Sequence, residues 1–316
     1  TLFRSAPMYI AEVSPTEIRG RMVSLNQMTI VLGILAAQIV NMLLARDTSV
    51  PAEQAWNVEW GWRWMFWAET LPAALFLVMS FFIPESPVYL QLKAEMKLRN
   101  ARQEAGVGEL FQGRYGRVMG LGLVIAVFQQ WCGTNVIFNY AQEIFTGAGF
   151  DVDGMFINIV ITGIANVLFT ILALYTIEKW GRRTLMLLGA GGLGLIYLIL
   201  GTCYFFEVKG VLMVVLVVAA ISVYAMTLAP VAWTLMAEIF PNRIRGIAMA
   251  TCTFALWVGC CTLTFSFPSM NAVLGSSGSF WIYAVICLSA FVFLYCRCPE
   301  TKGKTLEELE KELVEG

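Results

Sequence analysis

Long apolar runs follow one another along this chain, separated by short polar or charged joins. A helix needs about twenty predominantly apolar residues to cross the hydrocarbon core of a bilayer. Eight runs qualify, at roughly 24–45, 61–83, 118–141, 156–176, 184–206, 211–236, 247–267 and 280–298. Residues 6–11 read as the tail of an earlier span. The runs are continuous, with none of the ten-residue alternation that a barrel strand shows, so they predict helices. The predicted fold class is an all-α polytopic membrane protein.

A repeat organises these spans. Ala11-Glu12-x-x-Pro15-x-x-Ile18-Arg19-Gly20 returns 226 residues later as Ala237-Glu238-x-x-Pro241-x-x-Ile244-Arg245-Gly246, and an apolar helix-length run follows each copy. Such a repeat predicts two similar halves, as in many secondary transporters. Only ten residues precede the first copy, so the expectation is a chain lacking most of its first half. The pentapeptide Thr1-Leu2-Phe3-Arg4-Ser5 reads as a translated sequencing-adaptor end, which points the same way. The predicted organisation is 1–83 as the remainder of an N-terminal bundle, 84–117 as a cytoplasmic linker with an amphipathic helix, 118–298 as a complete six-helix bundle, and 299–316 as a cytoplasmic tail.

Composition supports the class. The chain is 58% hydrophobic and 14% charged, with mean hydropathy +0.70. A soluble protein of this length could not hide so much apolar surface. The formal net charge of −1 gives no footprint for nucleic acid. The eight cysteines lie in or beside apolar runs and there is no histidine. They read as small buried filler, not as disulfides or metal ligands, and no metal or cofactor is expected.

Lysine and arginine set the orientation. With Arg19 and Arg21 inside and the spans alternating, most other cations also fall inside, and only Arg46, Arg63 and Lys209 lie outside or at that interface. The localisation predicted is the cell membrane, multi-pass, with both ends of the chain cytoplasmic. The cytoplasmic rim then carries Glu12, Arg19, Glu178, Arg182, Arg183, Glu238 and Arg245, with Glu85 and Glu300 nearby. Charges at helix ends are commonly solvated anchors. Their recurrence in both halves favours ion pairs that latch one conformation shut and break when it opens.

Polar residues inside spans are the second clue. Gln129, Gln130, Asn135 and Asn139 share the first span of the complete half, and Asn166 sits midway along the next. Amides are costly in lipid, so these face the bundle interior. They read either as helix–helix glue or as a site for a hydroxyl-rich ligand, since an amide both donates and accepts. Trp233 and Trp257 would offer flat apolar faces to a sugar ring. Glu69, within the span 61–83, reads either as a proton carrier or as an interfacial carboxylate satisfied by Arg63. Pro72 and Pro230 mark places where a helix can bend.

These residues fall into an ordered set of motifs. Pro7-Met8-Tyr9-x-x-Glu12-x-x-Pro15-x-x-x-Arg19-Gly20, Gly61-Trp62-Arg63-x-Met65-Phe66, Pro84-Glu85-Ser86-Pro87, Gln129-Gln130-x-x-Gly133-x-Asn135, Gly181-Arg182-Arg183, Pro241-x-x-x-Arg245-Gly246 and Pro299-Glu300-Thr301-Lys302-Gly303-Lys304-Thr305 resemble the sugar porter family of the major facilitator superfamily. Bacterial proton-coupled sugar symporters of the xylose type are the most similar branch. The resemblance implies a twelve-span fold of two six-helix bundles, of which about eight spans are here, with a central sugar site. It implies Gln129, Gln130, Asn135, Asn166, Trp233 and Trp257 as sugar-binding residues. It implies Glu69 as a member of a proton-coupling network. Departures from the pattern are Ile34 where a span-five Gln is frequent, Leu256 where an amide often precedes Trp257, Asn139-Tyr140 in place of a Tyr-Tyr pair, and Val88 where an Arg usually follows Pro-Glu-Ser-Pro. The first three bear on which sugar is carried, and the last removes one strut of the cytoplasmic charge lattice.

The expectation is therefore a secondary active transporter moving a monosaccharide by alternating access, as a proton symporter, with the proton gradient as energy source. Its expected partners are a hexose or pentose and the lipid bilayer, with the protein monomeric. Rival readings are a proton-independent facilitative carrier and a non-transporting sugar sensor. The short tail disfavours the sensor. An enzyme is not expected, because no nucleophile–base constellation is present.

Overall fold

A computed structural model describes residues 10, 14–15, 18–44, 56–82, 110–111, 115–150, 152–241, 244–304 and 306–315. Among these residues there are helices and turns and no strands. Predicted features at Glu12, Glu85, Val88, Thr305 and most of 84–117 lie outside the described residues, as does the side chain of Arg19.

Each apolar run becomes helical, since a backbone in lipid must satisfy its own hydrogen bonds. In chain order the helices are α1 (Arg19–Leu44), α2 (Trp62–Ala68), α3 (Thr70–Ser80), α4 (Tyr115–Trp131), α5 (Thr134–Asn139), α6 (Ala141–Gly147), α7 (Val152–Trp180), α8 (Arg182–Phe205), α9 (Val211–Met226), α10 (Leu228–Ile239), α11 (Arg245–Arg297) and α12 (Leu306–Glu310). Six continuous segments among the described residues are long and apolar enough to span a membrane.

Two runs depart from their expected form at a proline. The run 61–83 is two helices that meet at Glu69, three residues before Pro72. The run 211–236 breaks at Thr227 (φ −121°, ψ −83°), three residues before Pro230. A proline ring clashes with the carbonyl four residues back and donates nothing to it, so the helix breaks just upstream. At the C-terminal end, α11 has 53 residues, about 80 Å at the α-helical rise. That exceeds any bilayer, and Gly275 (φ 68°, ψ 176°) divides it. The two arms, 245–274 and 276–297, are the two spans that the sequence predicts.

The arms of α11 pack on α8 and α4, and α7 packs on α9, which packs on α8. The bundle closes around Tyr197, Phe280 and Tyr283, all within van der Waals stacking range of one another. α1 lies along α7 and touches α10. No residue of α2 or α3 is buried.

The break between α4 and α5 turns on Gly133. Its φ of +87° is one that a side-chain-bearing residue rarely adopts. A Cβ there would also lie 2.8 Å from the Tyr283 ring. Gly133→Ala should therefore lower the melting temperature of the purified protein, corresponding to about 1–3 kcal/mol. Gly120→Ala, where an added Cβ meets open space, should not.

Candidate functional site

Two polar assemblies stand out against the apolar helices. The first gathers the charged rim. Arg182 opens α8, and its guanidinium donates to Glu178 Oε2 at 2.9 Å and to Glu238 Oε1 at 3.1 Å. Thr301 Oγ1 donates to Glu238 Oε2 at 2.6 Å. Glu300 accepts from the backbone N–H groups of Arg182 (2.9 Å) and Arg183 (3.2 Å), capping α8. A carboxylate at a helix N-terminus meets both free donors and the positive end of the dipole. Gly181 makes this possible: its φ is +87°, and a Cβ would lie 2.4 Å from Glu300 Oε2.

The remaining predicted latch residues take different partners. Arg183 donates to Tyr295 O at 2.7 Å and lies over its ring. Arg245 donates to Phe240 O at 3.1 Å. The first repeat copy comes to the same end: Ile10 packs on the buried Ala237, and Arg21 donates to Leu174 O at 3.3 Å, one turn before Glu178. Thus the loop after α7, the end of α10, the segment after α11 and the start of α1 meet at one end of the bundle.

The second assembly is the amide cluster. Gln129 and Gln130 end α4, and Asn135 lies in the first turn of α5, so the break at Gly133 sits between them. The break brings Asn135 Nδ2 to Gln130 Oε1. Gln129 Nε2 donates to Ala229 O at 3.2 Å, which ties the cluster to α10 one turn before Trp233. Gly259 on α11 comes close to the Trp131 ring and Gln130. Trp233 is half-buried, while Trp257 is 62% exposed. The sequence reading placed Trp257 deep along its span; the structure adds that its face points away from the bundle core. Asn166 stands on α7, 3% exposed, and makes no hydrogen bond to the other amides. Both Gln129 Oε1 and Asn166 Oδ1 are buried with no donor among the described residues.

Asn139 and Tyr140 join the end of α5 to α11. Pro268 has no N–H, which leaves the carbonyl of Thr264 without its helical donor. Tyr140 supplies one, its hydroxyl donating to Thr264 O at 2.8 Å, and its ring lies 4.6 Å from Phe267.

Glu69 is exposed, at the junction of α2 and α3. Arg63 does not pair with it. The Arg63 guanidinium donates to Glu59 O and lies over the Trp60 and Trp62 rings, so the interfacial ion pair considered for Glu69 is not formed. Sequence reasoning also passed over two amides of α1. Gln27 is 9% exposed, and Gln38 has a buried Oε1 without a partner. Gln38 is an isolated polar residue in a long apolar run, which is itself the signal that could have found it, and Gln27 stands beside Asn26 near the start of that run.

Comparison with known proteins defines the class. The model of the family described as "Sugar (and other) transporter" matches residues 4–103 and 91–313. The chain is 36% identical over 333 residues to the D-xylose-proton symporter of Escherichia coli strain K12, covering 96% of this chain and 67% of that protein. It is 32% identical over 328 residues to the arabinose-proton symporter of Bacillus subtilis strain 168, covering 96% and 70%. Among solved structures, a proton:xylose symporter of the major facilitator superfamily bound to 6-bromo-6-deoxy-D-glucose matches with TM-score 0.83 at 35% identity, covering 97% of this chain and 70% of that one. The inward-open xylose transporter of Escherichia coli matches with TM-score 0.74. The fold is that of a secondary transporter of the major facilitator superfamily. The chain belongs to the sugar transporter family.

The side chains of Arg182 and Glu238 are 3% and 6% exposed, so removing one partner leaves an uncompensated buried charge. Arg182→Ala should lower thermal stability by about 3–5 kcal/mol. Arg182→Lys, which keeps the charge and loses the planar fork, should recover only part of it. Melting curves in detergent test this, with the exposed Arg117→Ala expected to be neutral.

Proposed function

We propose that this chain carries a monosaccharide across the cell membrane by alternating access, coupled to proton movement. The observation that carries the reading is the amide cluster: Gln130 and Asn135 paired across a helix break, with the buried acceptors of Gln129 and Asn166 lacking donors. Buried acceptors without donors suit a ligand rich in hydroxyls. The sugars named for the relatives, xylose and arabinose, belong to that chemical class. In this reading Gln129, Gln130, Asn135 and Asn166 bind hydroxyls, and Trp233 and Trp257 flank the ring.

The charged rim is the latch of the cycle. Glu178, Arg182, Arg183, Glu238 and Arg245, with Glu12 and Arg19 of the first copy, hold that end of the molecule closed. Two facts support this: Arg182 is paired with Glu178 and Glu238 within the second bundle, and the chain is more like the sugar-bound symporter (TM-score 0.83) than the inward-open one (0.74). Lysine and arginine distribution puts this end, and both ends of the chain, in the cytoplasm. The bundle boundaries follow the same scheme: 1–83, then the linker 84–117, the second bundle 118–298 and the tail 299–316. The protein works as a monomer in the bilayer, drawing on the proton gradient and on no cofactor.

Glu69 distinguishes symport from facilitated diffusion, which is the named activity of a 30% identical relative from Zymomonas mobilis. Symport requires a group that gains and loses a proton during the cycle. Glu69→Gln should abolish sugar accumulation against a gradient and spare sugar exchange, measured in membrane vesicles. Unchanged accumulation would establish that Glu69 carries no proton. Gln130→Ala should weaken equilibrium sugar binding about tenfold with the melting temperature unchanged; unaltered affinity would remove Gln130 from the site.

A further inference from the structure

Gln38 lies on α1, eleven residues beyond the buried Gln27 of that helix, on the face turned to α7. Its Oε1 is buried and has no hydrogen-bond donor among the described residues. The amide lies against the backbone of Gly163: a Cβ on that residue would fall 2.0 Å from Gln38 Oε1 and 3.0 Å from Leu35 Cδ1. The absence of a side chain at Gly163 is what admits the amide to the seam between the two halves. One helical turn further along α7 is Asn166, 3% exposed, whose Oδ1 also lacks a donor. Two amide oxygens, one from each half, therefore sit on facing helices about a turn apart with nothing to donate to them. Ile34, one turn before Gln38 on α1, offers no polar group.

We propose that Gln38 is a specificity-determining residue of the sugar site, its amide accepting from one hydroxyl of the bound monosaccharide across the seam from Asn166. This rests on the sugar-transport reading above and deepens it. The physical reason is the unmet acceptor. An amide buried without a donor is destabilising, and in a helix seam the group able to supply one is a ligand hydroxyl or a water molecule. A sugar also contributes differently from water: it arrives during the cycle, so the bond is made only in states where α1 and α7 enclose it. A residue on the first half that reads a hydroxyl beside one on the second half links recognition to closure of the two halves.

The test is a deoxy-sugar scan on the whole transporter in membranes. A set of monodeoxy analogues of the transported sugar is measured for binding to the wild type, Gln38→Leu and Gly163→Ala. In the wild type one analogue should bind about three- to tenfold more weakly than the parent sugar. In Gln38→Leu the parent sugar should weaken by a similar factor, and that one analogue should lose nothing further. Gly163→Ala, which displaces the amide and keeps it in the protein, should reproduce the same pattern. If every deoxy penalty persists unchanged in Gln38→Leu, the hydroxyl is read elsewhere, Gln38 meets only water, and the proposal is overturned. If Gln38→Leu binds the parent sugar as the wild type does, the proposal is overturned as well. If the wild type binds no sugar at all, the transport reading fails first, and that outcome is separate from the other two.

Discussion

The guanidinium of Arg182 is the group on which one end of the molecule depends. It is almost wholly buried, and a charge in that position is tolerable only when opposite charges and hydrogen bonds surround it. Glu178 supplies a partner from the preceding helix and Glu238 supplies one from α10. Thr301 then satisfies the second oxygen of Glu238, and Glu300 caps the helix that Arg182 opens. Segments distant in sequence are thereby fixed to one another by charge, where apolar contact alone could not fix them. In lipid, apolar helix faces slide against tails as readily as against each other. Directional polar contacts must define the register. The same property makes this assembly suited to switching, because it is strong when complete and costly when one member leaves.

Breaks in the helices provide the rest of the polar framework. Each proline removes one donor and so releases one carbonyl. At Pro268 the released carbonyl of Thr264 takes the Tyr140 hydroxyl, which joins α11 to the end of α5. At Gly133 the break turns Asn135 back toward Gln130. Gln129 reaches the α10 backbone close to the break at Thr227. The amide cluster therefore stands where two helices are interrupted, and interrupted helices are where backbone and side chains can meet a polar ligand inside a membrane protein.

The spans were legible because length and hydropathy are properties of the sequence alone. Glu238 and Arg245 stood out because the repeat duplicates them as Glu12 and Arg19, whereas Glu178, Arg182 and Glu300 lie outside the repeat. Contacts across helices were not legible. That Glu300 caps α8 depends on Gly181 having no Cβ, which no local pattern announces. The depth of Trp257 along its span was legible, but the face it presents was not, because a nearly uniform apolar helix gives little indication of its inner side. Arg63 lay within reach of Glu69 by spacing, yet two tryptophans beside it offered a cation–π alternative at 5.4 and 4.6 Å. Gln38 was hidden by being single, whereas Gln129, Gln130 and Asn135 drew attention by clustering.

The two assemblies are energetically opposite, and that contrast explains how a cycle can run. At the charged rim nearly every acceptor has its donor, so this end is stable without any ligand. In the amide cluster Gln129 and Asn166 each hold a buried oxygen that has none, at a cost of about 1–3 kcal/mol apiece. A ligand that supplies those donors relieves that cost only in the conformations that place it against them. Its differential affinity for those conformations is then the free energy available to shift the balance between states. The buried ion pair of Arg182 joins α7, α8 and α10 within one bundle, so a ligand met by the amides acts on a framework whose charged end is already complete.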